Sequence, residues 1–270
     1  MLANITDTSG ATNPQAIGMD LGGSAIKFGV IDASGALIES SFGQVPTPAG
    51  AQPQAVAKAM AGVLATLNEQ FGSALDGAAV GVTVPGIVTN GVVHSAANID
   101  PQWRGLNAEA LLTETLGRPV HVLNDADAAG IAEVYAGAGR GADGLPAPGS
   151  TLVLTLGTGI GSAMFRDGVL FPNVEFGHLI MDGQSAELAA AARVIREENL
   201  TWEQYTERLQ RYLSHVEFLC SPDLIIIGGA ISVEHEKFLP GLELRAKIIP
   251  AENNNAAGVL GAAHRALLAH

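Results

Sequence analysis

Two glycine-rich turns, each with a hydroxyl residue, are the first features of this sequence that could do chemistry. The first is Gly22-Gly23-Ser24, and the second runs from Gly157 through Thr158 and Gly159 to Gly161. Glycine tolerates positive φ angles, so such turns can present consecutive backbone N–H groups to phosphate oxygens. An apolar strand follows each turn, and neither spacing matches the Walker or dinucleotide patterns. The turns therefore predict phosphate binding of another kind, with tight turns that bind no ligand as the alternative.

A carboxylate and a lysine flank the first turn. Asp20 ends the strand before the turn, and Lys27 lies in the strand after it. A carboxylate repels phosphate unless a cation such as Mg²⁺ lies between the two groups, whereas lysine attracts phosphate directly. The pair favours a metal-assisted phosphate site. The alternative is a turn-forming aspartate and a solvated lysine.

Asp125 is the candidate proton acceptor. It follows an apolar strand and precedes a helix, whose N-terminus should keep the carboxylate ionised and able to take a proton from a hydroxyl. Aspartate is also a common helix cap, and Asp127 is the better candidate for that role. Three further polar residues could bind several sugar hydroxyls, although a histidine beside a glycine is often only structural: Glu175, His178 and Glu187.

Strands alternating with helices must position these residues. Residues 17–20, 78–84, 120–123, 151–156, 224–227 and 247–249 have the apolar patterns of strands, and residues 55–71, 107–116, 185–198 and 256–268 those of helices. Thr201 and Gln204 form a capping box at the start of one more helix, and Asn90-Gly91 is typical of a tight hairpin. The glycine turns lie 135 residues apart, half of the chain. The pattern predicts an α/β protein of two related lobes.

Composition narrows the class of protein. The chain has 270 residues, of which 47% are hydrophobic and 15% charged, so it can bury a sizeable core. Its net charge of −13 makes nucleic acid and anionic membranes unfavourable partners. Cys220 is the only cysteine, which excludes an intramolecular disulfide and favours a reducing cytoplasm. Residues 1–15 do not resemble a secretory signal, and the uncharged stretch 145–165 is broken by two prolines, so we expect a soluble protein.

With these pieces assembled, the sequence resembles the ROK family of sugar kinases, and within it the polyphosphate glucokinase and glucomannokinase branch. The matching segments follow the family's order and span nearly the whole chain. They are residues 18–27, Val84-Pro85-Gly86, Ala97-Asn98, residues 123–129, residues 154–161, Glu175-Phe176-Gly177-His178, Glu187 and Ile227-Gly228-Gly229.

The resemblance implies an actin-like (ribonuclease H-like) two-lobed ATPase fold with a cleft between the lobes. It places residues 1–125 in a small N-terminal α/β lobe, joined by the C-terminal helix 256–270, and residues 126–255 in a large C-terminal lobe. It implies phosphoryl transfer from inorganic polyphosphate or ATP to the 6-hydroxyl of glucose, with mannose as a further acceptor. A homodimer is the usual family expectation.

The resemblance also implies roles for the matched residues. Asp125 would take the proton of the sugar hydroxyl, and the other hydroxyls would be held by Asn98, Asn124, Glu175, His178 and Glu187. Asp20, through water, would bind Mg²⁺. The phosphoryl group would be clamped by Asp20, Gly22, Gly23, Ser24, Lys27, Gly157, Thr158 and Gly159. Gly228 and Gly229 would lie near the adenosine of ATP.

One departure and two alternatives accompany this resemblance. Many ROK kinases carry a zinc-binding cysteine cluster after the Glu-x-Gly-His motif, whereas residues 178–187 contain no cysteine, so no structural zinc is expected. A sugar-sensing ROK regulator would need a helix-turn-helix unit, for which the sixteen residues before the first strand are too few. An actin-like structural protein would share the glycine turns but has no use for the sugar-binding residues.

Overall fold

A computed structural model describes residues 14–269 of the chain. Its first part contains β1 (Pro14–Leu21), β2 (Ala25–Asp32), β3 (Gly43–Pro46), α1 (Pro53–Phe71), β4 (Ala79–Val84), β5 (Val88–Thr89), β6 (Val92–Val93), α2 (Ala108–Leu116) and β7 (Val120–Asn124). Five of these strands form one sheet in the order β3-β2-β1-β4-β7. The β1–β2 pair is antiparallel, whereas β4 lies parallel to both β1 and β7.

The second part contains α3 (Asp125–Ala136), β8 (Ser150–Leu156), β9 (Ile160–Arg166), β10 (Val169–Phe171), β11 (Ile180–Met181), β12 (Gln184–Ser185), α4 (Glu187–Ala190), α5 (Arg193–Glu197), α6 (Trp202–Cys220), β13 (Leu224–Gly228), β14 (Lys247–Pro250) and α7 (Ala257–Leu268). Its sheet has the order β10-β9-β8-β13-β14, with an antiparallel β8–β9 hairpin and parallel β13 and β14. The two sheets thus share one topology, as the repeated strand–turn–strand pattern predicts.

Each sheet has its own hydrophobic core. The apolar residues of α1 recur every three or four positions, so that Val56, Met60 and Leu67 face the first sheet and are fully buried. On the second sheet, α6 begins with the predicted capping box, in which the side chains of Thr201 and Gln204 each accept a backbone N–H from the other residue. Its apolar side, which includes Tyr205, Leu209, Leu213 and Val216, is buried.

The last helix, α7, lies directly against the backbone of the first sheet. Gly18 of β1 and Gly81 of β4 are paired neighbours, and a Cβ atom on either would lie within 2 Å of a carbonyl oxygen of α7. Gly261 of α7 makes an equally close approach to the carbonyl of Ala128 in α3. Since only glycine permits such contact, these three positions bring α3, α7 and β1 together beside the cleft. The lobe boundary at residue 125 stays a prediction.

Two features differ from the sequence-based expectation. The helix predicted over residues 185–198 is wrong as a single element, because Ala191 is extended (ψ 152°) and separates α4 from α5. The break lets the backbone N–H of Arg193 donate to the carbonyl of Gly157 in the second glycine turn, at 3.1 Å. The helix expected to follow Asp125 begins at Asp125 itself.

No helix within residues 14–269 is both long and apolar enough to cross a membrane. The expectation about a signal sequence falls mainly on residues 1–13, which lie outside the described part of the chain, as does residue 270 of the predicted last helix.

Candidate active site

Four of the predicted residues meet in one cavity between the two sheets. Asp20, Lys27 and Asp125 line this cavity, which has a volume of about 470 Å³. Gly229 lines it as well, whereas Gly228 is the buried last residue of β13. The rest of the wall consists of small or polar residues and one valine: Ala126, Ala129, Thr155, Ala230, Val233, Asn254, Asn255, Ala257 and Gly258.

Asp20 and Lys27 lie opposite each other in the β1–β2 pair. The Oγ1 hydroxyl of Thr83 donates to Oδ1 of Asp20 at 2.6 Å and accepts the backbone N–H of Leu21 at 3.1 Å. Lys27 Nζ donates to the carbonyl of Asn255 at 3.4 Å. The carboxylate and the ammonium group are thus held by neighbouring elements and face the same cavity.

The start of α7 approaches the Asp20 carboxylate closely. A Cβ atom at Gly258 would lie 2.5 Å from Asp20 Cγ and within 2.8 Å of both carboxylate oxygens. No real Cβ atom tolerates that distance, so any larger residue at position 258 must displace one of the two groups. Gly258 is therefore part of what fixes Asp20.

Asp125 is the first residue of α3 and lines the cavity. Its side chain reaches the solvent of the cleft, yet protein atoms surround it on most other sides. This burial raises the pKa of the carboxyl to about 6, with further contributions from the Asp20 and Glu175 carboxylates, although the backbone N–H of Ala126 opposes the shift. Burial and neighbouring acids thus raise this pKa despite the helix N-terminus, yet a pKa of about 6 still leaves the carboxyl mostly ionised at neutral pH, as its place at the helix start predicts.

Asn124, not Asp127, caps α3. Asn124 has an extended backbone, and its Oδ1 accepts the backbone N–H groups of Ala126 at 2.7 Å and Asp127 at 3.0 Å. Its Nδ2 donates to the carbonyl of Gly86 at 3.0 Å. The prediction of Asp127 as the cap is wrong because the helix begins at Asp125, so that Asp127 lies in its first turn.

Three other predicted residues gather near the second glycine turn. His178 lies 4.0 Å from a Glu175 oxygen through Nε2 and 3.4 Å from Ser185 Oγ through Nδ1. Glu187 Oε2 accepts the backbone N–H of Ile160 at 3.3 Å. Burial raises the pKa of Glu175; the Glu187 carboxylate adds to this increase, and His178 opposes it. This group can both bind hydroxyls and hold the turn.

The tips of the two glycine turns do not line the cavity itself. Gly22 and Ser24 flank Gly23, whose Cβ position would lie 3.3 Å from the carbonyl oxygen of Asn98, an exposed residue with a φ of 59°. In the second turn, the backbone N–H of Gly157 donates to the carbonyl of Gly159 at 3.0 Å, with Thr158 exposed between them. The structure therefore places Asn98 at the first turn, apart from Glu187, which contacts the second turn.

Several residues of the site escaped the sequence analysis. Thr83 is the one hydroxyl residue in the otherwise apolar strand β4. A single hydroxyl in a buried strand could have indicated a hydrogen bond to a residue of the site. Asn255 and Gly258 come to the cavity only because α7 packs on the first sheet, which no local pattern reveals.

The two sheets of equal topology, with a cleft between them, define the actin-like two-lobed fold. The ROK family model matches residues 16–194, and the chain belongs to the ROK family. A polyphosphate glucokinase of Mycobacterium tuberculosis is 43% identical over 261 residues, covering 96% of this chain and 94% of the relative.

Solved structures agree with this family. The inorganic polyphosphate/ATP-glucomannokinase of Arthrobacter sp. strain KM superposes with a TM-score of 0.84 at 50% identity, covering 95% of this chain and 99% of the other. A ROK family glucokinase of Streptomyces griseus, solved with glucose and AMPPNP, shares the fold at a TM-score of 0.73 and 24% identity, over 93% of this chain and 98% of its own.

Proposed function

We propose that this protein transfers a phosphoryl group from inorganic polyphosphate or ATP to the 6-hydroxyl of glucose, with mannose as a second acceptor. The observation that carries the proposal is the shared cavity of Asp125, Asp20 and Lys27, which combines a proton acceptor with two groups suited to phosphate. The similarity to the polyphosphate glucokinase and the glucomannokinase supports the choice of donor and acceptor.

Asp125 is the proposed general base. The O6 oxygen of the sugar attacks the terminal phosphorus, the bond from that phosphorus to the donor's bridging oxygen breaks, and the hydroxyl proton passes to the carboxylate. A pKa of about 6 leaves Asp125 mostly ionised at neutral pH while keeping it more basic than an ordinary carboxylate. Alignment and charge neutralisation supply most of the catalysis in such reactions.

Asp20, Lys27 and the glycine turns are the proposed donor side. Mg²⁺ prefers oxygen ligands and retains water, and Asp20 offers a carboxylate that Thr83 holds in place, so the site fits an ion bound through water. The ion would neutralise charge on the donor. Lys27 would add a fixed positive charge, and the backbone N–H groups of Gly23, Ser24, Thr158 and Gly159 would face the phosphates. The small residues from Gly228 to Ala230 would leave room for adenosine.

The proposed sugar side consists of residues from both lobes. We assign the remaining hydroxyls to Asn98, Asn124, Glu175, His178 and Glu187. Glu187 already accepts an N–H from the second glycine turn, so a sugar bound to it would be held at a fixed distance from the donor. Such coupling of the two substrates favours the geometry needed for transfer.

We further propose a cytoplasmic homodimer. The single cysteine and the family expectation support these two assignments, and self-association is also favoured by large exposed apolar side chains on the edge strand β10, where Val169 is 70% exposed and Phe171 68%.

A coupled assay tests the proposed function. Glucose and mannose are each supplied with polyphosphate or ATP, and the 6-phosphate is measured. We expect glucose 6-phosphate with at least one donor, and faster than free phosphate is released. Donor hydrolysis that is independent of sugar, without any sugar phosphate, would contradict the proposal and favour an actin-like structural protein.

Gly258→Ala is expected to weaken the donor side selectively. The added methyl group must displace the Asp20 carboxylate or the start of α7, so we expect kcat/KM for the donor to fall at least about tenfold. Glucose affinity, measured by calorimetry without donor, should stay within about twofold of wild type.

Gly62→Ala provides the matched control. Gly62 lies in α1, and no atom lies within 4 Å of the position that its Cβ would take. This change should leave both substrates' kinetics unaltered and stabilise the helix by up to about 1 kcal/mol. Equal activity of the two variants would show that the Gly258–Asp20 contact has no role in donor use.

A further inference from the structure

Asp127 is a buried carboxylate to which the proposed chemistry assigns no role. It lies on α3, two residues after Asp125, and is only 2% exposed. Oδ2 accepts the backbone N–H of Asn173 at 3.0 Å. Oδ1 is buried and has no hydrogen-bond partner within residues 14–269. A buried polar atom of this kind is costly, and such costs are commonly retained where the group serves a function.

Asn173, the partner of Asp127, connects the second lobe to the first. Its Nδ2 donates to the carbonyl of Val88 at 2.8 Å, and its Oδ1 accepts the N–H of Val88 at 3.0 Å. Asn173 has a φ of 58°, a conformation that asparagine tolerates better than most residues. One residue thus joins α3 through its backbone and β5 through its side chain.

The segment after Asn173 carries Glu175, the proposed sugar ligand. Ser162 Oγ donates to the carbonyl of Val174 at 2.6 Å and accepts the N–H of Phe176 at 2.9 Å. The residues on both sides of Glu175 are therefore anchored, and Asn173 is anchored by Asp127. Within residues 14–269, the ion pair of the Glu175 carboxylate is a long contact of 4.0 Å with His178. Its position follows from its backbone.

Two carboxylates, Glu175 and Asp125, act on the charge of Asp127. Burial, with smaller contributions from the carboxylates of Glu175 and Asp125, raises the pKa of Asp127 to about 7, against the hydrogen bond from Asn173. A protonated carboxyl still accepts a hydrogen bond through its carbonyl oxygen, and so does a neutral amide of the same shape. The feature that the geometry requires at position 127 is an acceptor oxygen.

We propose that Asp127 and Asn173 form a positioning pair that sets the backbone of residues 173–176, and thereby the Glu175 carboxylate, for binding a sugar hydroxyl. Asp127 acts through Asn173 and does not touch the substrate. The inference rests on the proposed function for the identity of the sugar, but the placement of Glu175 can be measured without turnover.

Two substitutions at position 127 test whether the site needs a hydrogen-bond acceptor or a negative charge there. Asp127→Ala removes the acceptor, so we expect the KM for glucose to rise at least about tenfold, with the donor KM within about twofold of wild type. Asp127→Asn keeps an oxygen for the Asn173 N–H and should restore the glucose KM to within about threefold. A role in general packing alone would change both KM values together.

Asn173→Gly tests the other half of the pair. Glycine keeps the positive φ but removes the clamp to Val88, so the glucose KM should again rise selectively. Asn90→Gly is the matched control, because Asn90 also has a positive φ (51°) and is exposed in the β5–β6 hairpin. The glucose KM of the double variant Asp127→Ala/Asn173→Gly should not exceed that of the more impaired single variant. Such non-additivity is expected because both residues act on the same segment.

A crystal structure of Asp127→Ala tests the placement independently of activity. We expect the Glu175 carboxylate to move by more than about 1 Å from its wild-type position, whether or not the enzyme phosphorylates glucose. An unmoved Glu175, or equal glucose KM values for wild type and Asp127→Ala, would overturn the proposed pair. Wild-type protein that phosphorylates no sugar would overturn the proposed function but not the placement.

Discussion

Asp125→Asn is expected to lower kcat for glucose phosphorylation about a thousand-fold while leaving glucose affinity within about threefold of wild type. The amide has nearly the shape of the carboxylate but cannot take the O6 proton, and a positioned base typically contributes two to four orders of magnitude. Single-turnover measurements with saturating donor separate this loss from slow product release. Asp76→Asn is the control, because Asp76 is an exposed aspartate away from the cavity lining.

Asp125 should also determine how kcat/KM decreases at acidic pH. Since the pKa of Asp125 is raised to about 6, wild-type kcat/KM should fall as pH decreases through that value and the base becomes protonated. The residual activity of Asp125→Asn should lack this decrease. A kcat of Asp125→Asn close to that of wild type would contradict the assignment of the base.

Asp127 should make the free energy of unfolding depend on pH. Its pKa is about 7 in the folded protein and about 3.8 in the unfolded chain, so between these values the folded state holds a proton that the unfolded state has released. Stability from this group is therefore present at low pH and is lost as pH rises towards 7. Linkage gives a loss of about 2.5 kcal/mol between pH 5 and pH 8.

Urea denaturation of wild type and Asp127→Asn at these two pH values measures that loss. The asparagine variant should show a smaller decrease, by about the stated amount, since the other titrating groups, including Asp125, are present in both proteins. Asp76→Asn should behave as wild type. Parallel changes in wild type and Asp127→Asn would show that the carboxyl at position 127 is ionised in the folded protein at both pH values.

Local patterns were sufficient to predict most of the fold. The strand–glycine–strand repeat anticipated two sheets of one topology, and Thr201 with Gln204 marked the start of α6 because capping depends only on neighbouring residues. The predicted helix over residues 185–198 failed for the opposite reason. Its break at Ala191 serves a hydrogen bond to Gly157, a residue more than thirty positions away in the chain.

The candidate site was predictable where chemistry is concentrated in a motif. Asp20, Lys27 and Asp125 share a cavity because β1 ends, β2 begins and α3 begins at one cleft, as an α/β architecture favours. The residues that hold these three side chains in place were not predictable from the sequence. Thr83 and Gly258 contact Asp20 through tertiary packing, and the cap of α3 was expected to be Asp127 but is Asn124, because the cap depends on where the helix begins.

The most direct test of the central claim is a crystal structure with glucose and a non-transferable donor analogue bound together. We expect the glucose O6 atom within about 3.2 Å of the Asp125 carboxylate, with the terminal phosphate of the analogue on the other side of O6, beside Asp20 and Lys27. Glucose bound outside the cleft, or with O6 turned away from Asp125, would contradict the assignment of this protein as a sugar kinase with Asp125 as its base.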